Sequence, residues 1–163
     1  GDALALVVSR RKSFTPSDFS IFHPGGNLGR QLTPVRDVMR QGEELRVAKE
    51  HETVRSVLQR LRSSGRRSGA VLITAEDSTL AGIFTDSDLA RLLEQHRDGQ
   101  LDRPISEVMT KAPSTLGIEC CLSDAVIALT EKKISELPVV DDQQHPIGLI
   151  DITDVIGLAP ECA

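Results

Sequence analysis

The stretch LAGIFTDSDLARLL, residues 80–93, reads as a β-strand that turns directly into a helix. Its junction carries Gly82, Thr85 and Asp88 at intervals of three. Thr85 ends the strand and Asp88 falls in the first helical turn, so a hydroxyl, unpaired backbone N–H groups and a carboxylate converge on one edge. Sixty-six residues later PIGLIDITDVIGLA, residues 146–159, repeats the design with Gly148, Asp151 and Asp154 in the same places.

The repetition extends outward from this junction. Val38-Met39 returns as Val108-Met109, 70 residues on, and TVRSVLQRL from Thr53 returns as CLSDAVIAL from Cys121, 68 residues on. In these two segments Val54, Val57, Leu58 and Leu61 match Leu122, Ala125, Val126 and Leu129, the i, i+3, i+4, i+7 stripe of a helix that buries one face. GAVLIT from Gly69 and LPVVDD from Leu137, again 68 apart, are β-branched runs suited to buried strands. Four elements recur in one order across this distance. Each copy thus predicts an entry segment, a helix, a strand, a tight turn (AEDS from Ala75, DQQH from Asp142), a second strand and a closing helix. One copy of about 55–60 residues is marginal alone, whereas two packed strand face to strand face form a sufficient core. HRDGQLDRP, residues 96–104, is polar, contains Gly and Pro, and reads as the linker.

Composition narrows the setting. The 163 residues are 39% hydrophobic with four Phe, no Trp and no Tyr, so Val, Ile, Leu and Ala must build the core. A formal charge of −5 argues against a nucleic-acid binder, because phosphate-backbone affinity comes from clustered Lys and Arg. The longest apolar runs, such as residues 4–8, fall far short of the about 20 residues that span a bilayer. With no secretory signal, the reading is of a cytoplasmic protein with no membrane partner. Cys120, Cys121 and Cys162 fit neither a disulfide framework nor a metal site and read as reduced, structural thiols.

The junctions suit a nucleotide. A helix N-terminus attracts phosphate, Thr85 adds a hydroxyl donor, and the Asp88 carboxylate can accept from both hydroxyls of a ribose. Helix capping by Thr85 or Asp86 is the competing explanation of the same spacing. In the second copy Asp151 replaces the hydroxyl, which repels phosphate but still accepts from sugar hydroxyls or a base amino group. The two sites are therefore expected to differ, with Thr85 near phosphate and Asp88 or Asp154 on ribose. Arg66 and Arg67, and Lys132 and Lys133, precede matching strands and are candidates to neutralise an anionic ligand, although solvated surface charge explains them too.

The duplicated pattern resembles the cystathionine-β-synthase (CBS) domain pair, or Bateman module, over residues 34 to about 158. Gly82, Thr85 and Asp88 match that family's Gly-x-x-Thr/Ser-x-x-Asp signature; the second copy departs from it at Asp151. The resemblance implies an α/β fold of two β-α-β-β-α repeats with pseudo-twofold symmetry, spanning residues 34–96 and 105–158, with a linker at 97–104 and a tail at 159–163.

Residues 1–33 lie outside the repeat. Gly1 to Ala5, Phe19 and the run His23, Pro24, Gly25, Gly26, Leu28, Gly29 and Arg30 are similar to the end of the sugar isomerase (SIS) domain in arabinose-5-phosphate isomerases, which carry a CBS pair. The expectation is a helical remnant of that domain. The resemblance places a catalytic histidine of the parent enzyme at His23 and implies interconversion of D-ribulose 5-phosphate and D-arabinose 5-phosphate, on the route to Kdo and lipopolysaccharide. Such chemistry needs a base near the substrate carbons and groups that polarise a carbonyl. One histidine does not supply this, so residues 1–163 read as a catalytically incomplete part of a larger isomerase.

The resulting expectation is a regulatory pair with no required cofactor that senses a nucleotide or nucleotide-sugar effector, either CMP-Kdo by pathway logic or an adenine nucleotide. It would pass occupancy to the SIS catalytic domain. An alternative is an oligomerisation element with no bound effector, a homodimer through its helices and a tetramer in the full enzyme, with Leu89, Leu92 and Leu93 as candidate contacts. A third reading, an autonomous enzyme using His23 with Asp18, lacks a complete catalytic set.

Overall fold

In the computed structural model, residues 27–62 and 68–156 are described. After a short helix α1 (Asn27–Gln31), two similar α/β units follow one another. The first contains β1 (Val47–Lys49), α2 (Val54–Arg60), β2 (Ala70–Thr74), β3 (Leu80–Thr85) and α3 (Asp86–Glu94). After β4 (Thr110–Lys111) the second repeats the order with β5 (Leu116–Gly117), α4 (Leu122–Lys132), β6 (Glu136–Val140), β7 (Pro146–Asp151) and α5 (Ile152–Ile156). This is the expected pair of β-α-β-β-α repeats.

Local chemistry sets these elements. Thr53 caps α2 by accepting from the Ser56 N–H at 3.2 Å. Each hairpin turns through a non-glycine residue in the left-handed region, Ser78 (φ 70°) and Gln144 (φ 66°), preceded by an aspartate that holds the turn. Asp77 Oδ1 accepts from the Thr79 N–H at 3.0 Å, and Asp141 Oδ1 accepts from the N–H groups of Gln143 and His145 at 2.9 Å each. β2 and β3, and likewise β6 and β7, pair antiparallel, each with a register shift at one matching place, Ile73/Thr74 and Val139/Val140. β1 and β5 run parallel to β2 and β6.

The entry segments do not pack on the repeats that follow them. Val35 and Met39, ahead of the first repeat, belong to the core of the second, with Leu122, Ala125, Leu137 and Ile150. Ile105, with Val108 and Met109 packed beside it, belongs to the core of the first, with Val54, Val57, Ile73 and Phe84. The same hydrogen bonds fasten both crossings. Val35 N–H donates to Cys120 O (2.9 Å) and Leu122 N–H to Thr33 O (2.9 Å); Ile105 N–H donates to Glu52 O (2.8 Å) and Val54 N–H to Arg103 O (3.3 Å). Val35 and Ile105 are fully buried, so each repeat's core is closed by a residue that its neighbour's chain direction delivers. Burying each such side chain is worth about 1.5–3 kcal/mol.

A third cluster joins the sheets, with Leu72 and Ile83 from one and Leu149 from the other, which is the strand-face contact that two marginal repeats require. Pseudo-twofold symmetry also explains the signature glycines. A Cβ on Gly82 would collide with Met109 Sδ and lie 2.7 Å from the Thr110 carbonyl oxygen; one on Gly148 would collide with Met39 Sδ and lie 2.8 Å from its Cγ. The recurring Val-Met pair and the recurring glycine are thus two halves of one contact. Gly82→Ala is expected to destabilise the chain more than Gly148→Ala in urea unfolding, because a backbone oxygen confronts the first and only a flexible methionine side chain the second. Equal losses would contradict this account.

Candidate functional site

The junction between β3 and α3 opens onto a cavity of about 540 Å³ at the seam of the two repeats. Thr85, Asp88 and Arg91 come from that junction, Thr110 from β4, and Lys132, Lys133 and Glu136 from the end of α4 and the start of β6. α4 stops at Lys133, whose left-handed backbone (φ 54°) ends the helix at the cavity wall. Four of the sequence candidates, Thr85, Asp88, Lys132 and Lys133, therefore share one hollow although they come from different repeats. Its lining carries both signs on each side: Arg91 lies beside Asp88 at the first junction, and Lys132 and Lys133 share the wall from the second repeat with Glu136.

Thr85 and Asp88 form a capping box. Thr85 Oγ1 accepts from the Asp88 N–H at 3.2 Å, and Asp88 Oδ2 accepts from the Thr85 N–H at 2.8 Å and from its hydroxyl at 2.9 Å. Capping and lining the cavity are thus not alternatives, since the same two side chains do both. The second Asp88 oxygen accepts from Arg91 Nη1 at 3.2 Å, and the Arg91 side chain is 63% exposed.

Asp151 and Asp154 do not join this cavity. Asp151 Oδ1 accepts from the N–H and hydroxyl of Thr153 (2.8 and 2.7 Å), and the Asp151 N–H donates to Asp154 Oδ2 at 2.9 Å, the counterpart of the Thr85 cap. Arg40, a residue that sequence reasoning missed, lies across both carboxylates: Nε is 3.1 Å from Asp154 Oδ2 and Nη2 is 3.9 Å from Asp151 Oδ2. Burial opposes the Arg40 charge, but the hydrogen bond and attraction of Asp154, with Asp151 and Glu44 adding to it, hold the guanidinium above its ordinary range. Its signal in sequence was the step from Val-Met-Arg in the first copy to Val-Met-Thr in the second. Nothing in that step named a partner 114 residues away.

Glu136 was also missed. It is half-buried, and burial together with the charges of Asp151, Asp86 and Asp88 holds its carboxyl above the usual glutamate range. His23, Arg66 and Arg67 lie outside the described residues. The proposed contact helix is corrected: Leu92 is buried in the first core and Leu89 packs against it, because they lie on the inward face of α3, and only Leu93 of the three is largely exposed. Among the described residues no helix is long and apolar enough to cross a membrane.

Two outcomes follow from these charges. Arg40→Met should lower unfolding free energy by about 3–5 kcal/mol, the cost of stranding buried carboxylates. Arg91→Met, which removes the exposed partner of Asp88, should cost under about 1 kcal/mol. Comparable losses for both in urea titrations would refute the distinction. Glu136 holds its proton more tightly folded than unfolded, so it contributes no difference below the ordinary Glu range and destabilises progressively as pH rises above it. Thermal melts of Glu136→Gln should match the parent near pH 3.5, an acidity below the free Glu value of about 4.3, and exceed it at neutral pH. A gain that is constant with pH would show that the effect is not electrostatic.

Comparison with known proteins agrees with the architecture. The CBS domain model matches residues 35–95 and 105–161. The chain is 38% identical over 159 residues to arabinose 5-phosphate isomerase KdsD of Francisella tularensis subsp. tularensis, covering 97% of this chain and 47% of that protein. It is 34% identical over 155 residues to arabinose 5-phosphate isomerase KpsF of Escherichia coli, covering 94% and 46%. It thus spans about half the length of these relatives. Among solved structures, CBSX2 in complex with AMP superimposes with a TM-score of 0.65 at 27% identity, covering 78% of this chain and 96% of that one. The chain belongs to the CBS-domain family, as a tandem pair of CBS repeats homologous to part of the arabinose 5-phosphate isomerases.

Proposed function

We propose that this pair is the nucleotide-sensing regulatory module of a D-arabinose 5-phosphate isomerase that acts in Kdo and lipopolysaccharide synthesis in the cytoplasm. The observation that carries the reading is the cavity that sets Thr85 and Asp88 across from Lys132 and Lys133. A ligand that carries a phosphate and hydroxyl or amino donors can meet Lys132 and Lys133 with the one and Asp88 with the other. The lysines attract the anion, while Asp88, held on its outer oxygen by an exposed arginine, can exchange that partner for a ribose hydroxyl at small cost. The AMP seen with CBSX2 supports an adenine nucleotide, and CMP-Kdo is the competing effector by pathway logic, its cytidine phosphate also presenting a ribose and a phosphate. No cofactor is needed for this role. The repeats are assigned to residues 34–96 and 105–158, with 97–104 linking them.

Residues 1–33 are assigned to the end of the SIS domain, with His23 acting in the parent enzyme. Effector binding would reach that domain through the segment that leads into Val35, because this segment is fastened to α4 of the second repeat. Regulation requires that the effector bind two arrangements of the pair with different affinity.

A homodimer is the second reading, favoured by one observation. Val126 and Ile127 on α4 and Ile152 and Ile156 on α5 leave 36 to 61% of their surfaces exposed on two contacting helices. These, rather than α3, are assigned as the contact, and the full enzyme as a tetramer.

Calorimetric titration with CMP-Kdo, AMP, ATP and CMP should find at least one that binds. Lys132→Glu with Lys133→Glu should weaken it tenfold or more, and more so at low salt. Failure of all four nucleotides, together with a stable dimer in solution, would sink the sensing role and leave the assembly role.

A further inference from the structure

The two strand-to-helix junctions are related by the internal symmetry but differ in what stands over them. Thr110 pairs with Ile83 beside the first junction, and Arg40 bridges Leu149 beside the second, so Thr110 and Arg40 hold the same place in the two halves. Thr110 lines open space. Arg40 instead lays its guanidinium onto the junction, with Nη2 donating to Asp154 Oδ1 at 3.1 Å and to the Thr153 hydroxyl at 3.1 Å, and Nε donating to Asp154 Oδ2 at 3.1 Å. Arg40 and Asp151 are each only 8% exposed. The carboxylate that could accept a sugar hydroxyl is therefore already bonded on both oxygens, by a side chain that the core holds in place through Met39.

Resting on the nucleotide reading of the Thr85 cavity, we propose that Arg40 is the built-in occupant of the second junction, so that the chain takes one nucleotide, at the first junction only. An incoming phosphate would have to expel a guanidinium bonded to Asp154 and Thr153, and would then face the bare Asp151 and Asp154 carboxylates. The first junction imposes neither requirement, since Thr85 replaces Asp151 there and the arginine on Asp88 is a surface side chain. Displacing a buried, multiply bonded ion weakens binding by about a hundredfold or more, enough to leave the second junction empty at concentrations that fill the first.

The test is calorimetric stoichiometry with AMP and with CMP on the parent chain, on Arg40→Thr, and on Arg40→Thr/Asp151→Thr. The double variant gives the second junction the two threonines that the first carries at Thr110 and Thr85, and removes a carboxylate along with the guanidinium, which protects its fold if the single variant does not survive. One equivalent on the parent, lost in Lys132→Glu, and two on the double variant are expected. Two equivalents on the parent, or one on a folded double variant, would overturn the role of Arg40 while leaving the Thr85 cavity as a nucleotide site. No binding to the parent with one equivalent on the double variant would overturn the nucleotide reading of the first cavity and sustain the block. No binding to any form would overturn both.

Discussion

The structure depends on an exchange. Val35 and Met39 are delivered into the second repeat's core, and Ile105 with Met109 into the first, each fastened by the same backbone hydrogen bonds. Neither repeat contains its own closing residues, so neither has a complete core without the other. A unit of about 60 residues buries too little apolar surface to stand comfortably alone, and the exchange resolves that shortage by making two incomplete cores into one cooperative body. It also explains why a methionine and a glycine recur together: the methionine of each entry segment lies against the glycine of the opposite repeat's second strand, where no side chain fits.

The same crossing builds the site. Because the entry segment of one repeat runs along the last strand of the other, the residue after each Val-Met pair stands beside a strand-to-helix junction. At one junction that residue is a threonine and the wall remains open; at the other it is an arginine that reaches Asp154. Together with Asp151 in the place of Thr85, this difference turns a symmetric scaffold into an asymmetric one. Charge follows suit. The open cavity keeps lysines that are free to meet an anion, while at the closed junction Arg40 offsets part of the charge of its two carboxylates.

This arrangement has a consequence for communication. Arg40 ends the segment that begins at Thr33 and is pinned to the start of α4, so the chain leading upstream is tied to the second repeat at both its backbone and its side chains. The cavity that opens at the other junction is lined from both repeats. On the proposed sensing role, a ligand there would bear on the relative position of the two halves, the coordinate that the proposed catalytic domain would sense.

Much of this was legible in the amino-acid order. The 66- to 70-residue recurrence, the helical stripes and the strand-turn-strand pattern specify two α/β repeats, because periodicity and turn chemistry act over a few residues and leave their mark locally. Thr85, Asp88, Lys132 and Lys133 were likewise visible as candidates from residue type and position. Tertiary structure alone decided that these four face one cavity, that Asp151 and Asp154 do not, and that Arg40 and Glu136 matter. Most of those outcomes turn on contacts between residues roughly 45 to 114 positions apart, made by segments that cross from one repeat to the other, and a pairwise electrostatic or packing contact at that separation has no periodic trace in the chain.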